Sequence, residues 1–181
     1  MLIEDYRSVH MGPPECSHDA QTLAVIAEFP ADVSPILPYL NATLGGYQFP
    51  PDQGVLVLRV RGKTINIYPD KVTITHIKDQ EEGWEILEWL KVEINTTYAR
   101  RHEIIPSYQS RPLIGIIDIM KYLPKTNCRD CSESTCLAFA VRLRAGEIDP
   151  RSCPVLGTSQ LRALQDFLTS CGWTLVDYGS T

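Results

Sequence analysis

No run in these 181 residues approaches the ~18 consecutive apolar side chains that a membrane-crossing helix needs. The opening MLIEDYRSVHMGPPECSH has neither a basic start nor an apolar stretch, so it lacks the pattern of a secretory signal. These absences lead us to expect a soluble, cytoplasmic chain without a membrane partner. Aromatics are sparse at 8%, and no basic stripe interleaves with them, which argues against nucleic acid as a partner. A phosphate-cradling glycine loop, a nucleophile elbow, a zinc-protease helix and a pair of catalytic acids are all missing. Internal repeats and low-complexity tracts are missing too. What remains is an ordinary globular balance, 44% hydrophobic with 22 acidic against 17 basic side chains, long enough to bury one or two real cores. The acidity is uneven, since residues 1–50 hold six acidic groups and one basic, while residues 111–181 hold seven and eight.

The pattern of apolar residues sets the expected elements. The first 20 residues, with Gly12, Pro13 and Pro14 and no periodicity, read as an irregular arm. Leu23, Val25, Ala27 and Phe29 alternate as in a half-buried strand that Pro30 stops. A short helix capped by Ser34 follows, with Leu37, Leu40 and Leu44 as its stripe and Gly45-Gly46 as its end. Residues 55–60, 64–68 and 72–77 read as strands, and the short turns between them imply antiparallel hairpins. Asp79 and Glu82 start a long helix whose apolar face holds Trp84, Leu87, Leu90, Ile94 and Tyr98 and covers the sheet. Residues 100–111 form the best linker. Beyond it we expect helices from Ser110 to Leu123, over 135–145 and over 158–170, with 173–178 as a last strand. The fold class is thus α+β, an antiparallel sheet with covering helices followed by a small helical cluster domain. The division is a 1–20 arm, a 21–105 α+β domain and a 111–181 cluster domain.

Six cysteines in a chain read as cytoplasmic do not suggest a disulfide framework. Four of them, Cys128, Cys131, Cys136 and Cys153, follow C-x2-C-x4-C-x16-C with proline after the last. A tight trio plus one remote thiolate suits a 4Fe-4S cubane, in which two close thiolates bind neighbouring irons and distant ones close the remaining corners. Cys136 falls in the first turn of a helix, where free N–H groups and the dipole favour a thiolate. Residues 121–151 carry six basic and four acidic groups, a surplus that offsets a cluster charge of about −2. Zinc also takes four thiolates, but its ribbons usually present two close pairs, and here the second pair is split by 16 residues.

The string LPKTNC..C....CLAFA..L..G.....CP resembles the small four-iron cluster domain of corrinoid iron-sulfur protein large subunits. It is more loosely similar to the cluster domain in the B subunit of Rnf electron-transport complexes. The resemblance covers residues 123–156. It implies that Cys128, Cys131, Cys136 and Cys153 ligate a 4Fe-4S cluster used for electron transfer. Family members usually have glycine where this chain has Arg129 and Ser132, and proline where it has Ser134. The front portion, with PPECS, FPADVSPILPYLNATLGG and YPDKVTI, looks like that of stand-alone anaerobe iron-sulfur proteins of unsettled activity. Only 122 residues precede the motif and no D-x-H-x-x-G string occurs, so we do not expect corrinoid binding by this chain.

The expected function is one-electron transfer in an anaerobic system, without catalysis of its own, possible service to a corrinoid or methyl-transfer system included. The expected partner is a flavoprotein, a ferredoxin or a corrinoid protein, and an oligomer is compatible with the sequence. The alternatives are a redox or oxygen sensor and a zinc-stapled interaction module. Elsewhere, Cys16 beside His18 and after His10 reads as a surface thiol rather than a second metal site, and Cys171 as a buried small side chain. His76 reads as an edge or satisfied strand histidine and His102 as solvated. Trp84 is expected in the core, with Trp89 on another side of the same helix.

Overall fold

The computed structural model describes residues 1–13, 22–49, 54–60, 63–111, 114–171 and 173. Five strands, β1 (Ser8–Gly12), β2 (Leu23–Glu28), β3 (Leu56–Val60), β4 (Lys63–Ile67) and β5 (Lys71–Ile77), form one sheet in the order β1-β2-β5-β4-β3. Every neighbouring pair is antiparallel. Alternation does what it promises: Val25, Ala27, Leu58, Ile65, Ile67, Val72 and Ile74 are all buried on the covered side. Against them pack α1 (Leu37–Leu44) and α2 (Gln80–Arg100). Among the described residues no helix is long and apolar enough to cross a membrane.

Several local expectations change. The arm is not irregular throughout, because Ser8–Gly12 is the edge strand β1. Ahead of it Ile3 is buried, and the side chain of Asn95 on α2 both accepts from the Leu2 and Ile3 amides and donates to the Ile3 carbonyl. Tyr6 donates its hydroxyl to the Leu87 carbonyl at 2.7 Å, and burial raises its pKa. Ser34 does not cap α1. It opens a 3-10 turn (Ser34–Ile36), while its own amide donates to Asp32 Oδ1.

The α2 cap forms as expected, with Asp79 Oδ1 accepting from the Glu82 amide at 2.9 Å. Its expected apolar face holds at Leu87, Leu90 and Ile94, all fully buried, and at Tyr98, which packs against the core, but fails at Trp84. Gly83 faces the sheet so closely that an added Cβ would lie 3.1 Å from both Met11 Sδ and Val25 Cγ2. That approach turns Trp84 outward, 46% exposed, against the expectation that it lies in the core, and Trp89 is partly buried against the core.

The linker is strapped down. Ser107 donates its amide to the Pro38 carbonyl, Asn41 Nδ2 donates to the carbonyls of Ser107 and Gln109, and the Arg111 amide donates to Gly46. The next helix is shorter than expected: α3 is Ile116–Met120, with Gly115 as its N-cap. It packs with α4 (Cys136–Arg144) and α5 (Thr158–Ser170) around a second apolar cluster that includes Ile119, Phe139, Leu143 and Leu164. The residues read as a final strand lie outside the described residues, apart from Trp173, which is buried in this cluster and has no regular structure.

The two cores meet at Gly146. It ends α4 with φ of +72°, and a Cβ there would lie 2.8 Å from the Arg59 carbonyl oxygen on β3. Only glycine permits both that backbone and that approach.

Candidate metal centre

The segment after Leu123 is short of apolar residues and cannot bury itself. Residues 125–130 are all exposed. Its shape comes from the backbone. Lys125, Asn127, Arg129 and Ser132 have φ values of 59°, 50°, 69° and 65°, so four non-glycine residues within eight positions are left-handed. Such residues cost roughly 1–2 kcal/mol apiece relative to ordinary backbone, less for asparagine. Left-handed residues in a turn are also how successive N–H groups are made to face one concavity, the backbone pattern of many iron-sulfur and phosphate sites.

The loop closes on the start of α4. Thr135 is the N-cap, its Oγ1 accepting from the Ala138 amide at 3.0 Å, which puts Cys136 at the first helical position. The Cys136 amide donates to Asn127 Oδ1 at 2.9 Å. Cys136 is buried at 9% exposure and packs with Phe139 and Leu143 in the second cluster. Its sulfur therefore sits where the helix dipole favours negative charge.

Cys153 follows α4 in the chain, at the end of a short turn. Asp149 caps a 3-10 turn (Pro150–Ser152) and is held by the Arg151 guanidinium through both carboxylate oxygens at 2.9 Å. Cys153 is buried at 7% exposure. Burial pushes its thiol pKa up, the backbone N–H groups of Val155 and Leu156 act in the opposite sense, and the charges of Cys131 and Cys128 push it further up. Cys131 and Cys128 thus lie near enough for their charges to bear on Cys153. Cys131 is partly buried in the same cluster as Cys136 and Cys153, and Cys128 is exposed. All four thiols are free. They do not converge on one point: among the described residues no three His, Cys, Asp or Glu side chains are grouped as a single ion would require.

An ionic chain links the loop to the sheet. Glu133, between Cys131 and Cys136, is held by Arg142 of α4. Arg142 also pairs with Glu147 at 3.3 Å, and Glu147 with Arg59 of β3 at 3.3 Å. The thiol-rich loop is thus fixed both by a helix start and by a charge path to the front core.

Residues 123–155 match the family model described as "Putative Fe-S cluster". All four cysteines of the loop and turn fall inside that match. The chain is 45% identical over 53 residues to the corrinoid/iron-sulfur protein large subunit of Moorella thermoacetica, covering 29% of this chain and 12% of that protein. It is 38% identical over 55 residues to the acetyl-CoA decarbonylase/synthase complex subunit gamma of Methanothermobacter thermautotrophicus, covering 30% and 12%. With the corresponding gamma subunit of Methanocaldococcus jannaschii it shares 47% identity over 45 residues, 25% of this chain and 9% of that one. The chain therefore spans about an eighth or less of the curated relatives it matches. No solved structure matches it. The match to the iron-sulfur cluster model is confined to residues 123–155, and the front sheet lies outside it.

Arg129 and Ser132, the positions at which the resembling family usually has glycine, are two of the four left-handed residues. Asn127, which ties the loop to the start of α4, is a positioning residue that sequence reasoning missed. Asparagine tolerates the left-handed region and accepts hydrogen bonds locally, which is the signal that could have exposed it. Cys171 is partly buried beyond the end of α5, and His76 is exposed at a bulge where β5 has one residue more than β2. Cys16 and His18 lie outside the described residues, and His10 is exposed on β1.

Proposed function

We propose that this chain binds a 4Fe-4S cluster through Cys128, Cys131, Cys136 and Cys153 and passes single electrons to a protein partner. The observation that carries the reading is the gradient of burial across the four thiols, with Cys136 and Cys153 in the core and Cys128 exposed. A group held by them is anchored on one side and open on the other. When bound, the cluster supplies reversible one-electron chemistry. The chain's own residues do the holding and the tuning. Cys136 is favoured as thiolate at the N-terminus of α4, the left-handed residues give the loop a backbone pattern common at iron-sulfur sites, and the basic surplus over 121–151 offsets negative charge. The named relatives are subunits of corrinoid/iron-sulfur and acetyl-CoA decarbonylase/synthase proteins, which supports a protein partner; in this reading that partner is a flavoprotein, a ferredoxin or a corrinoid protein.

Metal and sulfide analysis of anaerobically purified protein tests the reading. We expect about four irons per chain and matching acid-labile sulfide. Cys136→Ser or Cys153→Ser should destroy or convert the cluster, and Cys171→Ser should leave its spectrum intact. One zinc with no iron would refute it. The exposure of Cys128 also admits small oxidants, which is what a redox sensor needs. Fast reversible reduction favours the carrier, and cluster loss in air coupled to a change of partner favours the sensor.

A further inference from the structure

Helix α2 presents a second face to solvent. Its buried positions, from Gly83 to Thr97, lie toward the sheet. At about 3.6 residues per turn, the opposite line of the helix runs through Glu81, Glu88, Val92 and Ala99. Trp84 flanks that line on one side, and Glu85 and Arg100 flank it on the other. All of these residues are exposed.

This face leaves apolar side chains in water, with Trp84 46% exposed and Val92 58%. Tryptophan is enriched among the residues that anchor protein interfaces. Charge on the face is divided by position: Glu81, Glu85 and Glu88 stand in its N-terminal half, and Arg100 stands at its C-terminal end. Glu88 is paired with Lys91 at 2.7 Å. Arg100 is paired with Glu103 at 3.2 Å, both side chains being exposed, and such a pair contributes little and exchanges easily. The carboxylates of Glu81 and Glu85 make no hydrogen bond or ion pair among the described residues. The helix dipole accounts for an acid in the first turn and a base in the last, but not for Glu85 a turn further in, nor for Trp84 and Val92. A face that is acidic at one end and basic at the other complements itself when turned end for end.

We propose that α2 is a self-association face, on which two copies of this chain pair their α2 helices antiparallel about a two-fold axis near Lys91 and Val92. With the axis there, Trp84 of one copy stands level with the small, exposed Ala99 of the other, and Val92 meets its counterpart in the middle. Like flanks meet in an antiparallel pair, so Glu85 of each copy comes beside Arg100 of the other, at both ends of the contact. The arrangement also opposes the two helix dipoles, and over the 21 residues of α2 it gives a contact line of about 31 Å. It uses none of the four candidate ligands, so it stands apart from the electron-transfer reading.

Sedimentation equilibrium of the full chain, purified anaerobically, tests it, and a reversible dimer is the expected result. Trp84→Glu should raise the dissociation constant about tenfold or more, as the loss of an interface anchor does. Val92→Glu serves as the second variant should the first fold poorly, which circular dichroism checks. The charge pair tests the antiparallel register itself. Glu85→Arg and Arg100→Glu should each weaken the dimer several-fold at low salt, because each sets like charges side by side, and the double variant should restore it. A chain that is monomeric at every concentration, including one that associates only with other proteins, overturns the proposal. So does a dimer indifferent to both Trp84→Glu and Val92→Glu, or one that the charge exchange fails to restore.

Discussion

Asn127 Oδ1 accepts the backbone N–H of Cys136 at 2.9 Å, so the start of the cysteine loop is hydrogen-bonded to the start of the helix that ends it. The bond satisfies one of the N-terminal amides that a helix leaves open and spans nine residues to do so. It also fixes the separation between the first thiol of the trio, next to Asn127, and the third.

Two substitutions separate the bond from the backbone conformation of Asn127, whose φ is 50°. Asn127→Gly keeps the left-handed turn at ease and loses only the hydrogen bond, for a cost of about 1 kcal/mol. Asn127→Ala loses the bond and also strains the turn, for a cost of about 2 kcal/mol or more. Chemical denaturation of the iron-loaded protein should rank the wild type above the glycine variant and the glycine variant above the alanine one. Iron retention should follow the same order.

Arg129 and Ser132 invite the opposite change. Both are exposed and left-handed, so Arg129→Gly and Ser132→Gly remove strain without emptying a core. Glycine also adds freedom to the unfolded chain, which offsets part of the gain, leaving about 0.5–1 kcal/mol of stabilisation for each. The thermal midpoint of the cluster segment should rise with each change, and the two should add unless the residues share a partner. A fall in midpoint for both would mean that their side chains contribute more than their backbone costs.

The sheet was legible because its strands alternate and its turns are short. Leu56–Val60, Lys63–Ile67 and Lys71–Ile77 lie within a residue of the expected positions. The helix over the sheet was legible in place and, through Leu87, Leu90 and Ile94, in rotation, except at Trp84. Periodicity weighs a tryptophan as core and a glycine as nothing, whereas here close packing on Met11 and Val25 selects Gly83 for the inner face and expels Trp84. Strand β1 carried no signal, since its five residues bury no side chain fully and sit at an edge. In the cysteine region the candidate ligands stood out by spacing alone. The four left-handed residues did not, because three of them, Lys125, Arg129 and Ser132, have no intrinsic preference for that backbone and are held there by the loop around them.

The burial of the thiols sets their reactivity in the metal-free chain. Cys128 is exposed, while Cys153 is buried with its pKa raised, so Cys153 holds less thiolate at any given pH. Timed alkylation followed by mass spectrometry should label Cys128 first, with Cys153 lagging until the pH exceeds the ordinary thiol range. The linkage has a definite sign. A thiol whose pKa is raised by folding contributes stability that is fully present below its unfolded pKa and is lost as pH rises through the folded one. The metal-free fold should therefore weaken on the alkaline side, and Cys153→Ala should flatten that loss. Equal labelling rates for Cys128 and Cys153 at neutral pH would contradict the burial difference.

Arg129 sits on the exposed loop between the first two thiols, at a position where the resembling family usually has glycine, and it brings a positive charge to the open edge of the site. If that edge is where a partner docks, the partner carries acidic side chains around its own redox centre, and added salt slows the reaction because exposed charges are screened over about 8–10 Å. Arg129→Glu should then slow electron transfer several-fold at low salt and retain its iron, and the difference from wild type should shrink as ionic strength rises. The competing account is that Arg129 folds over the cluster as a counter-charge. In that case Arg129→Glu lowers the reduction potential and leaves the salt dependence as it was. Potentiometry and stopped-flow rates on the same variant distinguish the two, and a rate unchanged at every ionic strength would take residues 127–135 off the electron path.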